Sequence, residues 1–145
     1  MNGWSFAVSM MSKNWLDAMC AVVVVFGLVM ASGALATTEW PARTLFEWQN
    51  QGPLPIDRAA RVTLGVLGGV MCGWGVTLYA AFRAAHMISD HSTPIWRLIV
   101  ASIIFWFVVD SSLSIATGFT LNAVMNVGFL LAFVVPISVS GVLRP

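Results

Sequence analysis

Between Arg97 and Arg144 the only charged residue is Asp110. Because the hydrocarbon core is about 30 Å thick, a spanning helix needs about 20 apolar residues, so this run suffices for two spans if it is broken. Gly118, flanked by Thr117, Phe119 and Thr120, breaks it into a helical hairpin. Two further uncharged runs cover 62–82 and, between Asp17 and Glu39, 18–38. The expectation is an all-α integral membrane four-helix bundle with short interfacial helices. It forms one domain over 1–145, in up-down order, with spans at about 15–37, 58–84, 94–116 and 120–142.

Composition excludes several function classes. Charged residues make up 9% of the chain against about 25% in soluble domains, and the mean hydropathy is +0.86. Little chain is left for a soluble catalytic domain. A net charge of +1 without a basic run gives no sign of nucleic-acid binding. There is no HExxH, GxSxG, P-loop or CxxC, so the chain does not read as an enzyme.

The hairpin carries the unusual chemistry. Asp110 precedes Gly118 by eight residues and Asn126 follows it by eight; Ser114 and Asn122 stand four to either side. At about 1.5 Å per residue the members of each pair reach equal depth. Asp110, Ser114 and Thr117 share one helix face, as do Asn122 and Asn126. The expectation is a polar ladder between the two helices. An acid facing lipid costs about 2.5–3.5 kcal/mol, so Asp110 must face inward. Either it is an ion or proton site with Asn126, Ser111 or Ser114 as partners, or it bonds Asn126 and pins the register of the hairpin.

In the second span Gly65, Gly69, Gly73 and Thr77 recur every four residues, a small-residue stripe suited to close helix packing against another span or another subunit. Trp4, Val8, Met11 and Trp15 form the apolar side of an N-terminal amphipathic helix, lying at the interface or simply extending the first span. Lys13, the apolar run and Ala34-Leu35-Ala36 imitate a signal peptide, although one lysine followed by Asp17 makes a poor n-region. Pro41 and Gly52-Pro53 delimit a short interfacial helix at 41–49 that would cover one end of the bundle, anchored by Trp40, Phe46 and Trp48. Cys20 and Cys72 differ in depth, which argues against a disulfide. His86, Asp90 and His91 match no metal template. A histidine at the membrane edge, His86 or His91, would be placed to ligate a haem or chlorin; otherwise this is a solvated turn. Lys13, Arg83, Arg97 and Arg144 lie on one side against Arg43, Arg58 and Arg61 on the other, which leans towards cytoplasmic termini.

The segments GVLGGVMCGWGV, DSSLS after FWF, and NAVMN together resemble small, uncharacterised four-span proteins of the bacterial inner membrane. That resemblance implies a cytoplasmic-membrane location and carries no activity. Two functions fit. The first is an accessory or assembly subunit of a photosynthetic or respiratory complex, docking on other integral subunits through small-residue faces and aromatic edges. Seven tryptophans and nine phenylalanines would suit contact with membrane lipid, quinone, carotenoid or chlorin. The alternative is a small proton-coupled carrier or channel centred on Asp110.

Overall fold

The computed structural model describes residues 3–88 and 92–143, with side chains from residue 12 onward. The helices are α1 (Gly3–Ser32), α2 (Trp40–Asn50), α3 (Arg58–Ile88), α4 (Thr93–Ala116) and α5 (Thr120–Val139), and no strand occurs among the described residues. Four of them are long and apolar enough to cross a membrane: α1 over Ser12–Ser32, and α3, α4 and α5 over their full lengths. The chain is a multi-pass helical membrane protein. The eleven-residue α2 is the short helix expected at 41–49.

α3 runs on to Ile88, past the expected 84, and α5 stops at Val139, short of 142; both ends of α1 also differ from expectation. α1 runs without a break from Gly3, so the N-terminal segment extends the first span and forms no separate interfacial helix. The side chains of Trp4, Val8 and Met11 lie outside the described residues. The first span also ends at Ser32, short of 37, because the Gly33 and Ala34 amides turn back onto the Met30 and Ala31 carbonyls at 3.1 and 3.0 Å.

α1 and α3 form the most extensive helix contact in the bundle. A Cβ built on Gly27 would stand 2.8 Å from the Cys72 nitrogen and the Gly68 oxygen; one on Gly75 would stand 3.0 Å from the Cys20 oxygen. Backbones meet there directly, as small residues permit where lipid supplies no hydrophobic drive. The face of α3 that does this carries Gly68, Cys72 and Gly75. Within the chain, the stripe expected to pack therefore does not. Gly69 and Gly73 have open space where a Cβ would go, Gly65 only borders the Ala34 methyl, and Thr77 bonds its own helix at the Gly73 carbonyl. Glycines occupy two adjacent faces of α3, and α1 packs on the other one.

α5 contains Pro136, which has no N–H for the Ala132 carbonyl four residues earlier. The indole Nε1 of Trp15 on α1 donates to that carbonyl at 2.8 Å, and the Ser12 hydroxyl donates to the Pro136 carbonyl at 3.1 Å. A freed backbone carbonyl at membrane depth must find such a partner. Trp15→Phe is expected to cost about 1–2 kcal/mol in thermal unfolding in detergent. The same change in a Pro136→Ala background should cost far less, because an alanine there restores the backbone N–H. Equal costs in both backgrounds would show that the indole bond does not serve the proline.

α4 carries Pro94 in its first turn and ends in a Schellman turn: the Gly118 and Phe119 amides bond the Ile115 and Ser114 carbonyls at 3.1 and 2.8 Å, with Gly118 at φ +87°. α2 is clasped by Glu39, which pairs with Arg43 of its own first turn and with Arg61 of α3. Hydrogen bonds from Arg43 and then Arg61 hold the Glu39 carboxyl below its usual range. Asp57 caps α3 through the Ala60 amide at 2.8 Å.

Candidate functional site

The four spans are packed unevenly. At the end away from α2, Leu16, Cys20, Phe82, Trp96, Ile103, Phe133 and Ile137 form a dense core, with Phe82 stacked on Trp96 at 5.6 Å. Under α2 a smaller cluster gathers Met30, Ile56 and Leu64. α3 and α4 share a far smaller surface than α1 and α3, and Trp74 meets Trp106 between them at 5.2 Å. On the α2 side of that pair lies a cleft of about 900 Å³. Val70 of α3 and Phe105 and Leu113 of α4 line it while remaining 62%, 73% and 60% exposed, so it opens sideways towards lipid.

The inner wall holds Phe26 and Phe129, in edge contact at 6.0 Å. α2 roofs one end with Leu45, Phe46 and Gln49, and Phe46 meets Phe119 of the α4–α5 turn edge-on at 6.5 Å. Here the hairpin presents its polar side chains. Asn126 donates to Asp110 Oδ2 at 2.9 Å and to the Ser111 hydroxyl at 3.2 Å. Asn122 donates to the Ser114 hydroxyl at 2.8 Å and accepts from Gln49 Nε2 at 3.2 Å. All four residues of the expected ladder are thus joined in two rungs and line the cleft, as does Thr117, whose hydroxyl bonds the Leu113 carbonyl. Asp110 Oδ1 makes no hydrogen bond among the described residues. Among the described residues no lysine, arginine or histidine lines the cleft.

Gln49 is the member that sequence reasoning missed. Ala42, Leu45, Phe46 and Gln49 share one face of α2, a pattern that marks the side turned to the bundle. Its bond to Asn122, 73 positions away, is tertiary.

The other candidates lie elsewhere. His86 stands at the last turn of α3, outside the lining of the cleft, with Nδ1 on the Phe82 carbonyl at 2.6 Å and its ring edge-on to Trp96 at 5.0 Å. His91 lies outside the described residues. Among the described residues no His, Cys, Asp and Glu side chains gather in a way that would hold a metal ion. The thiols of Cys20 and Cys72 are free, the latter bonded to the Val24 carbonyl at 3.5 Å.

No known family, curated protein or solved structure matches the chain. The cleft's own chemistry must carry any functional reading. An opening of this size falls in the range of small-molecule sites, typically about 300–1,000 Å³, with mostly apolar walls and a few converging polar groups.

Proposed function

We propose that the chain is a non-catalytic subunit of a larger complex in the bacterial cytoplasmic membrane and that it holds a membrane-soluble molecule in the cleft between α3 and α4. The carrying observation is that cleft: apolar walls, a lateral mouth towards lipid, and hydrogen-bonding groups gathered at one end. Lipid, quinone, carotenoid and chlorin all share the required apolar body. Photosynthetic and respiratory complexes are the hosts where such molecules concentrate. The outward face of α3, with open space beside Gly69 and Gly73, supports docking on another integral subunit. The four-to-three excess of basic residues favours cytoplasmic termini.

Purification in mild detergent, followed by solvent extraction and mass spectrometry, is expected to recover about one apolar organic molecule per chain along with partner subunits. Val109→Trp, which places an indole in the cleft from an exposed position on α4, should lose the molecule without unfolding the bundle. A second reading rests on the Asp110 oxygen left without a bond: a proton-coupled carrier. A lone chain that moves protons in liposomes and stops on Asp110→Asn would replace the first reading with the second.

A further inference from the structure

The cleft's chemistry narrows what it can hold, given that it is a ligand site at all. Among the described residues its lining contains one acid and no base, so a phosphate or carboxylate head would find no cation to pair with. Entry is sideways: α2 covers the polar end through the Gln49–Asn122 bond and the Phe46–Phe119 contact, while the exposed rim of Val70, Phe105 and Leu113 opens to the hydrocarbon. Charged molecules are costly at that depth, and uncharged ones partition into it.

The polar groups are themselves selective. Both N–H groups of the Asn126 amide are spent, on Asp110 Oδ2 and Ser111, and the Asn122 amide gives one to Ser114. Beside Asn126 the position left over is an acceptor, Asp110 Oδ1, and so the head that meets it there is a donor. Asp110 stands six residues before Ala116, the end of α4, or about 9 Å below that end. Trp106 lies one turn deeper on the same face, against Trp74. Aromatic rings make favourable offset or edge contacts with a second flat ring.

We propose that the cleft takes an uncharged molecule made of a flat ring bearing a hydroxyl and an apolar tail. The hydroxyl donates to Asp110 Oδ1, the ring lies against the Trp74–Trp106 pair, and the tail leaves between α3 and α4. A quinol has this chemistry, as do other phenols with long alkyl chains.

The test compares two probes on the full chain in nanodiscs: a decyl-hydroquinone and its dimethyl ether, which differ in the donor hydrogens. Binding is read by quenching of tryptophan fluorescence. Wild type should bind the hydroquinone about tenfold more tightly than the ether, as one net hydrogen bond implies. In Asp110→Leu the ratio should fall to about one with the ether affinity unchanged, and it should fall likewise in Asp110→Asn, whose carboxamide oxygen is taken by Asn126 so that an NH2 donor stands where Oδ1 was. The wild-type ratio stands as a test even if the leucine variant fails to fold. Equal affinities in wild type, or tighter binding of tetraphenylphosphonium or decyl phosphate than of the hydroquinone, overturn the head-group assignment. If Val109→Trp then abolishes binding of both ring probes, the cleft survives as a ligand site with a different head group. Failure of both probes to bind wild type, or indifference of both to Val109→Trp, removes the ligand site altogether.

Discussion

Gly68→Ala is expected to lower the unfolding free energy by about 1–3 kcal/mol, whereas Gly69→Ala, one position along, should be neutral or stabilising by up to about 1 kcal/mol. The added Cβ at Gly68 would lie 2.5 Å from the Gly27 carbonyl oxygen and would also strike the Ala31 backbone. Backbone atoms cannot rotate aside as a flexible side chain can, so α1 and α3 would have to separate along their most extensive contact. At Gly69 a Cβ meets nothing within 4 Å. Thermal unfolding of the purified chain in detergent measures both. Equal losses would mean that α3 is rotated about its axis from the orientation described. Gly69→Leu separates the roles further: the isolated chain should tolerate it, and a host complex that docks on this face should loosen.

That pair of glycines also marks where sequence reasoning stops. The spans follow from the charge-free runs, because lipid excludes charge and an apolar helix must be about 20 residues long. Pro94, Gly118 and Pro41 punctuate them for steric reasons that any sequence carries. Equal spacing about Gly118 was enough to pair Asp110 with Asn126 and Ser114 with Asn122, since depth in an antiparallel hairpin is arithmetic on the rise per residue. Rotation is different. Gly65, Gly68, Gly69, Gly73 and Gly75 give α3 small residues on more than one face, and the choice among them is made by Gly27 and Ala31 on another helix. The continuity of α1, the reach of Gln49 and the Trp15 bond to the carbonyl freed by Pro136 are likewise tertiary. The cleft is least legible of all. It is a gap between helices that each satisfy their own local rules, and it exists because α3 packs on α1 and leaves α4 to α5.

Asn126→Leu is expected to destabilise the hairpin by about 1–3 kcal/mol, and more than Asp110→Leu does. Asn126 is 4% exposed and supplies the hydrogen bonds at 2.9 Å to Asp110 and 3.2 Å to Ser111. Removing it strands a carboxyl group inside the bilayer, where an unpaired polar group keeps the whole of its desolvation cost. Removing Asp110 instead leaves the Asn126 amide still bonded to Ser111. The double change to leucine takes away both halves of the rung, and its cost should fall short of the sum of the single costs by about 1 kcal/mol. Asp110→Asn should be the mildest of the set, because a carboxamide oxygen accepts from Asn126 as a carboxylate does. Unfolding of the four variants in detergent, with no ligand added, completes the cycle. A coupling near zero would mean that the rung contributes nothing to holding α4 against α5, and the presence of an acid at that depth would then have to be explained by what enters the cleft.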